Sequence, residues 1–325
     1  MNIVITGSVA FDYLMNFPGY FKEHILPEHI ENISLSFLVE TMEKRRGGIA
    51  PNIAYTLALF GERPRLLAAV GEDFEDYRRW LEENGIDTRG AKVISGTFTA
   101  SFFANTDLSN AQIATFYTGA MAFASQLHLT DLDGDKPDLV VISPNDPQAM
   151  KQYVEECISL GLPYLYDPSQ QIVRLTAAEI RYGIDHALAL FVNEYEFALI
   201  QKMTAYTAEE IAQKVRFMVV TCGECGAELY AEGLHLHIPA VPPQRIADPT
   251  GVGDAFRGGF LAAYSRGLDW ETCGKVGALA ATYCLEQHGT QNHRYTPAEF
   301  VQRFRQIFDD QGKLDVFLSP RESQG

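Results

Sequence analysis

Short, wholly apolar runs alternate along this chain with longer amphipathic stretches. Asn2 to Thr6 is apolar enough for a strand buried on both faces. Gly47 to Phe60 reads as a turn followed by an amphipathic helix, with Pro51 tolerated in its first turn. Leu139 to Ser143 then reads as a strand and Asp146 to Leu160 as a helix. Pro163 to Tyr166 is a strand ending at Asp167-Pro168. Ala187 to Val192 is a strand, Glu194 to Met203 a helix, and Phe217 to Thr221 a strand. This alternation predicts a mostly parallel sheet covered by helices. Leu229 to Ile238 reads as a hairpin about Glu232-Gly233, and three helices are expected after it.

A second pattern interrupts the first. In Glu31 to Glu40, Ile33, Leu35, Phe37 and Val39 alternate with Asn32, Ser34, Ser36 and Leu38. Thr97 to Thr106 and Ala114 to Tyr117 are rich in Thr and Phe. These are strands with one apolar face, suited to a small sheet outside the main layer. Such a face needs cover from a ligand or from the same sheet of a second subunit, unless the segment is a β insertion packed on its own domain. The tail from Lys313 is polar and reads as frayed.

Composition narrows the partners. The 325 residues can bury one large core or two smaller ones, and 46% hydrophobic with 21% charged residues is ordinary for a soluble globular protein. A formal charge of −16 leaves no basic excess to replace the counterions of a nucleic acid. It does not prevent a local cradle of amides from binding phosphate. Met1 to Gly7 lacks the basic start and long apolar core of a signal peptide, and no run has the length of a membrane span. The five scattered cysteines read as reduced thiols of a cytoplasmic protein.

The stretch Asp248-Pro249-Thr250-Gly251-Val252-Gly253-Asp254 carries the most chemistry. It opens as a turn and becomes a helix, so its amides and the helix dipole form an anion site. Asp254 stands at the rim of that site. Phosphoryl transfer to a hydroxyl needs this pairing: amides for charge on the phosphoryl oxygens and a carboxylate for the hydroxyl proton. Four weaker clusters accompany it. Gly7 to Asp12 follows the first strand, where open α/β sheets bind ligands, and Asp12 suits vicinal hydroxyls or caps a helix. Gly47-Gly48 lets a ligand approach the backbone, and Asn52 both donates and accepts. Asn193 and Glu196 mark a strand-to-helix junction, either for water-held Mg²⁺ or as ordinary helix-start residues. Thr221, Gly223 and Gly226 suit a loop along a nucleotide's phosphates. Cys222 and Cys225 have metal-ligand spacing without a second pair, and His235 and His237 share a strand face; structural roles are the plainer reading for both. Arg257 lies one turn beyond Asp254, near phosphate or paired with a carboxylate.

Taken together, these residues resemble the ribokinase-like (PfkB) family of carbohydrate and nucleoside kinases. Gly47 to Asn52 matches the family's first signature and Asp248 to Phe260 its second, in the expected order. The resemblance runs from about Asn2 to the late helices. Within the family the chain is most similar to the bacterial adenosine kinases of actinobacteria. That similarity lies in Thr6 to Asp12, Leu26-Pro27-Glu28-His29, Ser34 to Val39, Ala111 to Tyr117 with Gly119-Ala120-Met121, and Asp167 to Gln171.

The resemblance implies an α/β, ribokinase-like three-layer sandwich in one domain over residues 1–325. Lid segments at about 13–46 and 97–120 would be inserted in the core, and the lid would join a homodimer. It implies that Ser8, Asp12, Gly48 and Asn52 hold the ribose. Phe102 and Phe116 would sandwich the purine, with Met121, Gln170 and Gln171 nearby. Asp254 would be the base for the 5′-hydroxyl, with Gly251, Val252 and Gly253 as the anion hole. Asn193, Glu196, Thr221, Gly223 and Gly226 would serve ATP and Mg²⁺, and Asp248 and Thr250 would begin a monovalent-cation (K⁺) site. Family members that take ribose commonly carry Lys where Ile49 stands, which counts against free ribose. The resulting expectation is an ATP-dependent adenosine kinase. A sugar or other-nucleoside kinase is the nearest rival, and a non-catalytic nucleoside-binding regulator the rival of another class.

Overall fold

The computed structural model describes residues 1–25, 31 and 34–319. The stretch Leu26-Pro27-Glu28-His29 lies outside the described residues. The strands in chain order are β1 (Ile3–Thr6), β2 (Ala10–Asn16), β3 (Thr41–Gly47), β4 (Arg65–Val70), β5 (Asp87–Val93), β6 (Ala100–Thr106), β7 (Gln112–Tyr117), β8 (Leu139–Ile142), β9 (Tyr164–Tyr166), β10 (Ala189–Asn193), β11 (Phe217–Thr221), β12 (Ala227–Ala231) and β13 (Leu234–Ile238). The helices are α1 (Ile49–Leu59), α2 (Glu75–Glu83), α3 (Pro147–Leu160), α4 (Ala177–Asp185), α5 (Glu194–Thr204), α6 (Ala208–Lys214), α7 (Val252–Ser265), α8 (Trp270–Leu285) and α9 (Pro297–Arg305).

The main sheet runs β13-β12-β11-β10-β9-β8-β1-β4-β5. Its pairings are parallel except for the two made by β12. Strand periodicity sends Ile3 and Ile5 into a core shared with α1, α2, α7, α8 and α9, and Val4 into a second core under α3, α4, α5 and α6. Burial on both faces explains the uninterrupted apolar runs. The result is a mostly parallel sheet covered by helices on both faces, as the alternation predicts and the resemblance implies. Among the described residues no helix is long and apolar enough to cross a membrane.

A second sheet, ordered β3-β2-β6-β7, stands over the carboxyl end of β1. Its β2–β6 pair is parallel and the two outer pairs antiparallel. Thr97 to Thr106 and Ala114 to Tyr117 supply β6 and β7, as expected. Of Glu31 to Glu40, Asn32 and Ile33 lie outside the described residues, residues 34–39 are irregular, and Thr41–Gly47 forms the edge instead. The apolar positions there serve a local aromatic cluster, with the Phe37 ring 5.0 Å from Phe17 and 4.8 Å from Phe21. The edge strand reads Thr-Met-Glu-Lys-Arg-Arg-Gly and is mostly exposed, so no apolar alternation announces it. The expected frayed tail is also corrected at its start. Leu314 and Phe317 are buried, and the Phe317 ring lies 4.9 Å from Phe60.

Candidate active site

Helix α7 begins at Gly251, whose φ of 77° is left-handed. A Cβ there would stand 2.7 Å from the Thr290 side chain, so the turn demands glycine twice over. The first regular helical bond runs from the Ala255 amide to the Gly251 carbonyl at 2.9 Å. The amides of Gly253 and Asp254 therefore precede the helical ladder, while that of Val252 makes a long 3.5 Å bond to the Pro249 carbonyl. The Gly251 turn and Asp254 border a cavity of about 460 Å³ between the two sheets. Ser8, Asp12, Gly48, Asn52, Thr250, Gly251 and Asp254 border it on one side. Phe116, Met121, Gln170, Gln171 and Arg174 border it on the other.

Asn52 and Asp254 come from helices 202 residues apart and meet here, with Asn52 Nδ2 donating to Asp254 Oδ2 at 2.8 Å. The amide cannot flip, because its Oδ1 accepts from Gln291 Nε2 at 2.7 Å. Gln291 Nε2 also donates to the Tyr77 hydroxyl at 2.6 Å, and that hydroxyl donates to the Gly47 carbonyl at 3.0 Å. Asn52, Gln291 and Tyr77 are all buried. This chain ties the glycine pair that opens α1 to the carboxylate of α7. Gly48 has φ 95°, and a Cβ would stand 2.5 Å from the Ser8 carbonyl, so the second glycine is required where the backbones cross.

Burial pushes the Asp254 carboxyl up to about 6, against the pull of Arg257 and the Asn52 hydrogen bond, while Glu196 adds to the rise. A carboxylate so placed is a stronger base than a solvated one and is still ionised at neutral pH. Burial likewise lifts Asp12 to about 6, opposed by Arg45. Arg257 does not reach into the cavity. Its Nη2 donates to Asp167 Oδ1 at 2.7 Å, and Nε lies 2.6 Å from Oδ2, with both side chains buried. Burial raises Asp167 above the usual carboxylate range, and Arg257 opposes it.

At the far end of the cavity the lid register sets Asp12 opposite Phe102, and Phe102 opposite Phe116. All three share one sheet face; Asp12 and Phe116 border the cavity, and Phe102, on the strand between them, does not. Gln171 is 7% exposed, and its Oε1 is buried without a hydrogen-bond partner. A buried amide at a cavity wall with an unmet acceptor is matched to a polar ligand edge. Arg174 was not singled out in the sequence, and it adds donors beside this amide.

Asn193, Glu196, Thr221, Gly223 and Gly226 lie outside this cavity, at the carboxyl ends of β10 and β11 and in the turn beyond. Asn193 pairs with Thr221 across the two strands. The helix-start reading of Asn193 and Glu196 is realised as a capping box. Asn193 Oδ1 accepts from the Glu196 amide and Glu196 Oε2 from the Asn193 amide, each at 2.8 Å. Glu196 Oε1 also accepts from Ser169 at 2.9 Å. Asp254, Asp167 and Glu196 interact through the single Arg257, so the cluster carries excess negative charge. That excess and the fixed Glu196 carboxylate fit a water-held Mg²⁺. Asp248, the expected start of a monovalent-cation site, is engaged by protein donors, including the Arg45 cation. Its Oδ1 accepts from the Thr250 amide at 2.9 Å, and its Oδ2 from the Gly289 amide and Arg45 Nη1, each at 3.1 Å.

His235 and His237 both bond the Glu228 carboxylate at 2.7 Å on an exposed sheet face. Cys222 and Cys225 are free thiols. Among the described residues no group of three or more His, Cys, Asp or Glu is arranged to hold a metal ion.

The profile of the pfkB family carbohydrate kinases matches residues 6–297 of the chain. A nucleoside kinase from Methanothermobacter thermautotrophicus is 30% identical over 307 residues, spanning 93% of this chain and 95% of that protein. The structure of Burkholderia thailandensis nucleoside kinase in complex with inosine is 36% identical, with a TM-score of 0.83, covering 94% of this chain and 98% of that one. The adenosine kinase from Sinorhizobium meliloti shares the fold, with a TM-score of 0.72 over 94% of this chain and 99% of that one, at 19% identity. The chain is thus more similar to these nucleoside kinases than to that adenosine kinase.

Proposed function

We propose, from the premise that this chain belongs to the pfkB family of carbohydrate kinases, that its acceptor is a purine nucleoside, with adenosine converted to AMP at the expense of ATP. As a phosphotransferase acting on an alcohol, it needs a base, a seat for phosphoryl charge and a pocket that selects the hydroxyl. The observation that carries the reading is the raised, Asn52-oriented carboxylate of Asp254 beside the open amides of α7. Ser8, Asp12, Gly48 and Asn52 border the section of the cavity suited to a ribose. Asp254 then accepts the 5′-hydroxyl proton, and the amides of Val252 and Gly253 meet the developing negative charge. Glu196, with Asn193, Thr221, Gly223 and Gly226, is placed for the triphosphate side. Mg²⁺ held there would supply charge neutralisation for the phosphates.

The base end supports a purine. Phe116 offers a stacking face, Phe102 backs it, and the Gln171 amide offers a donor and an acceptor together. Ile49, on the ribose side, gives no cation for a free sugar. A second reading has its own observation. Arg174 is a donor only and suits a 6-oxo purine such as inosine, which the Burkholderia relative binds. The lid face opposite Asp12 and Phe116 exposes Met42, Phe103, Ile113 and Tyr117, which suits contact with a second copy of the chain. The test is ADP release from ATP with adenosine, inosine, guanosine, cytidine, ribose or fructose as acceptor. Adenosine is expected to give the highest kcat/KM. Inosine ahead of adenosine would install the second reading, and fructose equal to adenosine would sink both.

A further inference from the structure

The arginine of the lid edge sits where a monovalent cation would otherwise be held. We propose that the Arg45 guanidinium is the built-in cation of the anion-hole loop, so that phosphotransfer by this protein needs no monovalent metal ion. The proposal rests on the phosphotransfer reading of the α7 loop, and concerns what holds that loop in shape.

Asp248 is the carboxylate that would anchor such an ion, and three protein donors, one of them a cation, already engage it. Each of its oxygens accepts a backbone amide, and Oδ2 also accepts Arg45 Nη1 at 3.1 Å. An alkali cation on Oδ2 would have to displace the guanidinium or share the oxygen with a like charge. Arg45 is itself held firmly. Its other terminal nitrogen donates to Glu43 Oε2 at 2.8 Å, and its backbone pairs with Asp12 in the lid. Its charged neighbours are Glu43, Asp248 and Asp12, three carboxylates to one guanidinium. Its Nε is buried without a partner, a sign that position rather than maximal hydrogen bonding fixes the side chain.

The consequence reaches the reacting atoms through the backbone. Asp248 fixes the amide of Thr250, one residue before Gly251, and the amide of Gly289, one residue before Thr290. Thr290 is the residue against which the left-handed Gly251 packs. Thr290 Oγ1 also donates to the Arg46 carbonyl at 3.2 Å, so a second bond joins this loop to the same lid strand. Arg45 is therefore a positioning residue: it holds the anion-hole amides in line and makes their alignment depend on the seating of β3.

The test compares KCl, NaCl and tetramethylammonium chloride at equal ionic strength. Wild-type turnover is expected to agree within about twofold across the three salts, with one melting temperature. Arg45→Ala is expected to lose about tenfold or more in kcat with little change in nucleoside KM. It should recover part of that loss in KCl alone, and its melting temperature should rise in KCl alone. Arg45→Lys, which keeps the charge, should remain indifferent to the salt. Wild-type activation by K⁺ of more than about fivefold, or a wild-type melting temperature raised by K⁺ alone, would overturn the proposal, since a specific ion would then bind the native site. So would an Arg45→Ala protein with native turnover in every salt. The melting measurement needs no nucleoside, so a mistaken substrate assignment leaves it readable.

Discussion

Replacing Asp254 by Asn removes a proton acceptor and also a charge that the fold accommodates at a cost. Burial moves the carboxyl from its ordinary value of 3.8 to about 6. For an acid, a raised folded value means that the native state binds the proton more tightly than the unfolded chain does. The penalty of holding the ionised form is therefore fully present above about pH 6 and shrinks as the pH falls. It is gone below about pH 4. A rise of about two units corresponds to about 3 kcal/mol at pH 7. Asn has no charge to bury and can still accept from Asn52. Asp254→Asn should then be more stable than wild type by up to about 3 kcal/mol at pH 8 and indistinguishable from it at about pH 4. Unfolding entropy of about 2 cal/mol/K per residue translates this into a melting temperature higher by about 4 °C. Turnover should fall by about 10² to 10⁴, with adenosine binding retained. In the wild type, kcat/KM should lose about nine-tenths of its value at about pH 5, where only a tenth of the base is ionised. Calorimetry across pH, titration of nucleoside binding and steady-state ADP release measure these quantities. The reasoning is refuted if the stability difference is absent at pH 8, if it is the same at every pH, or if the variant keeps near-native turnover.

Four further outcomes follow from the same geometry. Phe116→Ala should weaken nucleoside binding by about 1–3 kcal/mol and raise the nucleoside KM about 5- to 150-fold while leaving the KM for ATP in place; an unchanged nucleoside KM would remove the stacking role. Arg257→Met leaves Asp167 buried without its partner and should cost about 3–5 kcal/mol in urea unfolding, and Arg257→Met combined with Asp167→Leu should restore much of that. Glu196→Gln keeps the capping box and so the fold, but should raise the Mg²⁺ concentration for half-maximal rate by about tenfold or more; an unchanged requirement would confine Glu196 to its helix. Phe103→Glu, on the outer lid face, should convert a dimer to a monomer in size-exclusion chromatography, and a wild type already eluting as a monomer would end the lid-contact proposal.

What the sequence disclosed depended on how local the signal was. Gly251 and Asp254 were legible because an anion cradle is written in consecutive residues, and the structure shows the steric reason for the glycine at Thr290. The buried strands were legible because burial on both faces leaves no polar position in them. The edge strand Thr41–Gly47 was not, since neither of its faces meets a dry core and its residues are those of a solvated loop. Gln291 was missed for a different reason. It acts on Asn52 and Tyr77, 239 and 214 residues away, and nothing in its own neighbourhood marks it. Arg45 escaped notice because one arginine in a run of Lys and Arg looks like surface charge until Asp248 is brought to it. Arg257 reads in the sequence as near phosphate or paired with a carboxylate; it pairs with Asp167 through Nη2 and Nε, and its Nη1 stands beside Gly253.

The small sheet meets the body of the protein along one line. Ala10 stands opposite Gly47 and Ala100, and Ser101 opposite Tyr117, so all four strands pass between lid and body at the same end of their ladders. A plate attached along a single edge has one soft degree of freedom, rotation about that edge, and resists bending in any other direction. Closure of such a plate over a guest would remove one collective motion, not the separate freedoms of four strands. The same economy sets a limit: a side chain far from the hinge sweeps a wide arc, while Arg45, two residues from Gly47, hardly moves. Arg45 thus stands at the attached edge, beside the reaction centre, and Ile113 toward the free rim.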